Sequence, residues 1–272
     1  RTGVSRQESC AERKQKNRFD VWFDGTFEYF NYTDAQGHFG LLKIGVDYTL
    51  APGLLVGAML QFDTTQDKSE SMGYLVKGTG WMAGPYAAAR LGANLLLDGR
   101  LLYGTSDNQV LPYLTYADNF TTQRWLAAAR ISGRWSYENW TLTPSAEYVH
   151  FSDTSAAYVN AAGIQIDSQK VTINRFIFGP ELRYKGEIDA ENAIGVHFAV
   201  KGLWDANPLA LKALDGVGDA VPRSELHARF DLGATLYNKS GISADVSLGY
   251  EGLGGDGYSS KSVTGRLKVP LN

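Results

Sequence analysis

The sequence predicts an all-β chain: a 12-stranded antiparallel transmembrane β-barrel with an N-terminal α-helix in its lumen. Three observations predict it. Twelve stretches alternate apolar with polar residues, and the polar sets are unusually charged. Most of these stretches are about 10–14 residues long; a tilted membrane strand needs ~9–11 and a globular strand usually has ~5–6. The connections alternate between tight turns and long loops, as they do between the two rims of a membrane barrel.

The alternation is plain at 230–237. One side reads Phe230, Leu232, Ala234 and Leu236; the other reads Asp231, Gly233 and Thr235. Successive side chains of a strand point to opposite faces, so a period of two gives one apolar and one wet face. A soluble barrel hides the apolar face, whereas a membrane barrel turns it to lipid and keeps its charges in the lumen.

Strands are expected at 19–30, 39–50, 54–63, 79–91, 94–103, 122–135, 139–150, 171–184, 193–204, 224–237, 242–251 and 261–271. The first sets Val21 and Phe23 against Asp24 and Glu28. The second sets Leu42, Ile44 and Val46 against Lys43 and Asp47. Leu54, Val56 and Leu60 mark the third, and Ala83 and Ala87, with Arg90, the fourth. The fifth opposes Leu95, Leu97 and Leu101 to Asp98 and Arg100. The sixth opposes Ala127 and Ile131 to Arg124 and Arg130, and the seventh Leu142 to Glu147. In the eighth, Phe176, Phe178 and Leu182 alternate with Arg175, Glu181 and Arg183. The ninth runs Ile194, Val196, Phe198 and Val200 against Lys201, and the tenth holds Leu226 against Arg229 and Asp231. The eleventh pairs Val246 and Leu248 with Asp245 and Glu251, and the last Leu267 and Val269 with Arg266 and Lys268. The charged members are expected to line the lumen, where opposite signs can pair across strands.

Ala51-Pro52-Gly53, Gly92-Ala93, Ser136-Tyr137-Glu138 and Asn238-Lys239-Ser240-Gly241 carry tight-turn chemistry; 185–192 is a longer member of the set. Long loops fall at 64–78, 104–121, 151–170 and 205–223, with shorter ones near 31–38 and 252–260 on the same side. Aromatic residues gather at strand ends. Tyr48, Trp135, Trp140, Tyr184 and Tyr237 lie by the tight turns, and Tyr29, Tyr103, Trp125, Trp204 and Tyr250 by the long loops. Two headgroup-level girdles are expected.

Composition agrees. Aromatics reach 12%, and the net charge of −3 offers no basic field for nucleic acid. Mean hydropathy is −0.23, and no apolar run approaches the ~18 residues of a spanning helix. A single Cys10 excludes an internal disulfide framework. The chain begins at Arg1 without Met or signal peptide, as expected of a mature or excised segment. A soluble sandwich accounts for neither the strand length nor the loop asymmetry.

Residues 1–17 differ from the rest. Ser5-Arg6-Gln7-Glu8 is a capping-box pattern opening a helix through Cys10, Ala11, Glu12, Arg13, Lys14, Gln15 and Lys16. It has no apolar stripe, and a polar helix of about a dozen residues is marginal alone in water. In a charged lumen, Arg6, Arg13, Lys14 and Lys16 would meet carboxylates such as Glu147, Asp231 or Asp245; Glu8, Cys10 and Glu12 belong to the same plug helix. The expected division is 1–17 as linker and plug helix, and 18–272 as barrel.

A serine-hydrolase reading makes specific demands on the sequence. Serine hydrolysis needs a Ser, a His and a third group that orients the imidazole. His150 and Ser152 lie two apart on one face, but Ser152 is followed by Asp153-Thr154, and no Gly-x-Ser-x-Gly elbow occurs. An interfacial His beside a loop Ser is the preferred reading. His38, His197 and His227 are scattered without metal-ligand spacing. No catalytic, cofactor-binding or metal site is therefore expected; a passive porin or an outer-membrane phospholipase-like hydrolase are the alternatives.

Together, a polar helix and a 12-stranded barrel resemble the translocator domain of monomeric, type Va autotransporters over nearly the whole chain. The most specific stretch is Leu142-Thr143-Pro144-Ser145-Ala146-Glu147-Tyr148, then Tyr158 and Gly163-Ile164-Gln165-Ile166, then Phe178-Gly179-Pro180-Glu181-Leu182-Arg183-Tyr184. The run at 40–48, with Gly57 after it, is similar too. The resemblance implies an anchor in the bacterial outer membrane that supports secretion of a passenger, preceding Arg1, to the cell surface. It implies as partners outer-membrane lipid and lipopolysaccharide, the passenger, the barrel assembly machinery and periplasmic chaperones, with no nucleic acid and a monomeric state. Two positions depart from the family. Its members usually end on Phe or Trp, and this chain ends Val269-Pro270-Leu271-Asn272. Some members cut themselves between two Asn residues; here Asn17 precedes Arg18, and no self-cleavage is expected there.

Overall fold

The computed structural model describes residues 18–32, 34–206, 226–254 and 257–271. Twelve long strands dominate: β1 (Phe19–Asn31), β2 (Gln36–Ala51), β3 (Leu54–Ser69), β4 (Tyr74–Arg90), β5 (Leu95–Leu111), β6 (Asp118–Gly133), β7 (Trp140–Ser155), β8 (Gln169–Glu187), β9 (Asn192–Asp205), β10 (Leu226–Asn238), β11 (Ser243–Leu253) and β12 (Ser259–Leu271). Each pairs antiparallel with the next, and β12 returns to β1 from Phe19↔Leu271 to Asn31↔Ser259. The sheet is a closed ring without an edge strand. A short segment, Trp135–Tyr137, prolongs β6 against β7, and Tyr158–Val159 pairs with Gln165–Ile166 in the loop after β7.

The expected plug helix lies on residues outside the described set; among the described residues no α-helix occurs.

The strands match the expected positions but several run further at the long-loop rim. β3 continues from 63 to Ser69, β4 begins at Tyr74 rather than 79, and β5 continues to Leu111. The ladder persists there, with Gln66↔Lys77 and Lys77↔Gln109. Alternation identifies a strand only while one face is apolar. Beyond the bilayer both faces meet water, so the pattern fades although the hydrogen bonds do not.

The outward face carries the apolar set: Phe23, Leu42, Phe62, Leu101, Phe198 and Val263 are all exposed. Val246 and Leu248 leave 58% and 57% of their surface open, which lipid rather than a protein core must cover. Nine of the ten expected girdle aromatics share this outward set. Tyr103 and Trp125 are 4.7 Å apart near the long-loop rim, and Trp140 and Tyr184 5.0 Å apart near the other. Tyr237 is the exception. Outward positions of β10 are Leu232, Ala234 and Leu236, so Tyr237 points inward and its hydroxyl accepts from Arg183 Nη1 at 2.6 Å.

Two Gly-Pro pairs shape the wall. Pairing with the next strand lapses at Gly84-Pro85 and again at Gly179-Pro180. Proline has no N–H to give the ladder, which confines it to edges and irregularities. Gly179 has φ of 153°, and a Cβ there would sit 2.0 Å from the Val200 carbonyl oxygen. Only glycine fits that approach.

Candidate functional site: the barrel lumen

Side chains from distant strands meet on the inward face because the ring is concave there. Trp22 of β1 donates from Nε1 to Tyr86 Oη of β4 at 2.7 Å, with β2 and β3 between them. Arg124 of β6 reaches over β5 and β4 to Asp63 of β3, Nη1 to Oδ1, at 2.7 Å. Gly80 lies under that crossing, where a Cβ would come within 2.3 Å of Arg124 Nη1.

The inward charges form a nearly continuous ladder of pairs. Lys43 lies 2.9 Å and Arg266 2.6 Å from the buried Asp24 carboxylate. Asp47 accepts from Trp22 Nε1 at 3.1 Å and from the Tyr86 hydroxyl, with Lys268 3.8 Å away. Arg100 meets Glu147 at 3.0 Å across β6. Arg124 Nε holds Asp153 at 3.0 Å, so one guanidinium bridges two carboxylates. Arg130 pairs with Asp98 at 2.8 Å.

The β8 to β12 side is denser. Arg175 donates to Asp205 from Nε at 2.6 Å and from Nη2 at 2.8 Å, a bidentate grip. Arg183 meets Glu181 at 2.9 Å and also donates to Thr235. Asp231 takes Arg229 at 2.8 Å and Lys201 at 3.1 Å. His227 Nε2 stands 2.8 Å from Glu251 Oε1. Thr235 donates to Asp245, which also lies 3.6 Å from His197 Nδ1. Glu28 accepts from Tyr258 at 3.3 Å.

Thirteen of the fourteen charged residues expected along the lumen thus join these contacts. Arg90 does not: it is exposed at the end of β4, and its backbone N–H bonds the Gly53 carbonyl at 2.7 Å. Arg6, Glu8, Cys10, Glu12, Arg13, Lys14 and Lys16 lie outside the described residues. Asp63, Asp153 and Asp205 were missed, because each falls at or beyond the end of a stretch that alternation defines.

One inward region is not charged. Met59, Met82 and Leu102 of β3, β4 and β5 are buried together, with Trp22, Tyr86, Leu126 and Phe151 packed against them. A strand buried on its inward side by such a cluster is apolar on both faces, so a two-face reading gives no sign of it. Among the described residues, no group of three or more His, Cys, Asp or Glu side chains is placed to hold a metal ion.

On the outward face His150 Nδ1 lies 2.7 Å from Asn174 Oδ1 of β8. The sequence offers no cue for this neighbour, which is 24 residues away.

A family profile described as "Autotransporter beta-domain" matches residues 21–251. The fold is similar to the beta domain of the Bordetella autotransporter BrkA, with a TM-score of 0.77 at 17% identity, covering 94% of this chain and 100% of that one. The translocator domain of NalP from Neisseria meningitidis aligns with a TM-score of 0.72 at 12% identity over 93% and 88% of the two chains. The transport unit of AIDA-I from Escherichia coli gives 0.67 at 12% identity over 97% and 92%. No curated protein sequence matches. The chain belongs to the autotransporter beta-domain family and is a bacterial outer-membrane translocator barrel that supports secretion of a passenger.

Proposed function

We propose that the passenger leaves through the lumen of this barrel and that residues 1–17 stay in it as a polar helix. The observation that carries this reading is the closed ring whose inward face is a charge ladder from Asp24 to Asp245. Such a lining is wet and binds an extended chain weakly, because nearly every charge already has a partner. Arg6, Arg13, Lys14 and Lys16 add second, weaker contacts to Glu147, Asp231 and Asp245, which already hold Arg100, Arg229 with Lys201, and Thr235. Translocation in this scheme needs no covalent step from the barrel.

The barrel works as a monomer in outer-membrane lipid and lipopolysaccharide. The barrel assembly machinery and periplasmic chaperones deliver it, and no nucleic acid takes part. The apolar outward band supports the lipid partner.

Planar-bilayer conductance of the refolded chain, with and without residues 1–17, tests the scheme. A small, flickering conductance that becomes large and stable on deletion supports it. Equal, open conductance from both forms removes the plug helix and favours a porin.

A further inference from the structure

One cluster of hydrogen-bonded polar side chains stands on the outward wall at the long-loop end of β7 and β8, the exterior end because short turns face the periplasm in such barrels. Strand register sets His150 opposite Asn174 and Ser152 opposite Thr172. On the other flank Trp125 lies opposite Ser152 and Ala127 opposite His150. Trp125 is a girdle residue on the outward face, so His150, Ser152 and Asn174 share that face. Phe176 and Trp204, stacked 5.3 Å apart, continue the girdle on the far side. The cluster therefore lies at the depth where headgroups join acyl chains.

Its internal geometry is specific. Asn174 Oδ1 takes His150 Nδ1 at 2.7 Å and the Tyr148 hydroxyl at 2.9 Å. An amide oxygen only accepts, so Nδ1 is the donor in this contact, and in the neutral imidazole the lone pair is then on Nε2. Tyr148 holds the amide that holds the imidazole. Ser152 follows on the same face, 7% exposed, and its hydroxyl is engaged by no other described residue. Ser152 and His150 are not hydrogen-bonded to each other in the free chain; such contacts commonly tighten only with substrate in place.

We propose that Ser152, His150 and Asn174 form a nucleophile, base and positioning group that hydrolyse the acyl esters of outer-leaflet lipid. This activity stands apart from passenger transport. Ser152 Oγ attacks the ester carbonyl carbon while its proton passes to His150 Nε2. The bond to the leaving alkoxide breaks as His150 returns that proton to it. A water molecule, deprotonated by the same nitrogen, then attacks the acyl-serine carbonyl; the bond to Oγ breaks as His150 returns the proton to Ser152, and the fatty acid leaves. Asn174 touches no substrate and acts by holding the His150 tautomer. Thr172 and Trp125 stand opposite Ser152 on the two neighbouring strands, so their side chains are the nearest polar donors available to an oxyanion there. The ester is common to glycerophospholipids and lipid A.

The test uses the full chain refolded in detergent, with folding checked by compact, heat-modifiable migration on a gel. A fluorophosphonate probe is applied and the labelled peptide mapped by mass spectrometry. Fatty-acid release is measured from phosphatidylethanolamine and, separately, from lipid A. The expected result is label on Ser152 and release from at least one lipid, the responding lipid naming the source. Ser152→Ala abolishes the label and lowers release by on the order of 100-fold or more, while passenger display in cells is unchanged. Asn174→Leu lowers kcat at constant KM in folded protein, and Asn174→Asp, which still accepts from Nδ1, restores it. Folded wild type with neither label nor release overturns the proposal. So does release that survives Ser152→Ala, or label confined to another serine. Loss of passenger display with esterase activity intact counts against the transport reading alone.

Discussion

Replacing Arg124 by Met should be among the most damaging single changes in the lumen. Its guanidinium lies 2.7 Å from Asp63 and 3.0 Å from Asp153, and its side chain is only 10% exposed. At an effective dielectric of ~20 each contact contributes roughly 5–6 kcal/mol of gross attraction, much of it offset by desolvation. Removing one partner of a buried pair typically costs ~3–5 kcal/mol, because the other charge is left stranded. Here two carboxylates are stranded, at 6% and 19% exposure. Arg124→Met should therefore lose about 3–5 kcal/mol. At a urea slope of ~3 kcal/mol per M, the midpoint falls by more than about 1 M in lipid vesicles followed by tryptophan fluorescence. The triple variant Asp63→Asn, Arg124→Met, Asp153→Asn should regain most of that loss, since no charge stays unpaired. Gly80→Ala should also destabilise wild type, by pushing on Nη1, but not the triple variant. A single variant within about 0.5 kcal/mol of wild type, or a triple variant no better than the single one, refutes the reasoning.

Three further outcomes are expected. Leu248→Arg, at the middle of β11 on the lipid face, should cost ~2–4 kcal/mol in vesicle unfolding; a cost near zero would mean that this face does not meet hydrocarbon. Gly179→Ala should lose ~1–3 kcal/mol in the same assay, as a Cβ at φ 153° meets the Val200 carbonyl; an unchanged midpoint would show that the wall relaxes there. In the turn before β9, hydrogen bonds from the Asn192 side chain and from the Glu191 and Asn192 backbone hold the Asp189 carboxyl below its ordinary range. A lowered carboxyl adds stability that is present above its ordinary value of 3.8 and lost as pH falls below it. Asp189→Ala should thus shrink the difference between unfolding midpoints at pH 7 and at low pH, and an unaltered difference would sink the assignment.

Much of the wall was legible before the structure. The pattern Phe230, Leu232, Ala234, Leu236 against Asp231 and Thr235 names both faces of β10, because side-chain direction is local to the strand. The same rule placed Arg175, Glu181 and Arg183 inward together. Tyr237 was misplaced on the lipid side because its position at the strand end outweighed its parity. Met59, Met82 and Leu102 were invisible as a lumen cluster, since apolar residues on both faces leave no alternation to read.

The sequence by itself determined the strand count, the inward and outward sets, and the rim with the short turns. Each of these follows from a period of two and from turn chemistry within a few residues. Partnership was decided only by the tertiary structure. Arg124 meets Asp63 across two intervening strands, and Trp22 meets Tyr86 likewise, because a closed sheet turns its concave face on itself. His150 finds Asn174 because the β7–β8 register aligns them across a long loop. Curvature and register sum over the whole ring, so no local window of sequence contains them.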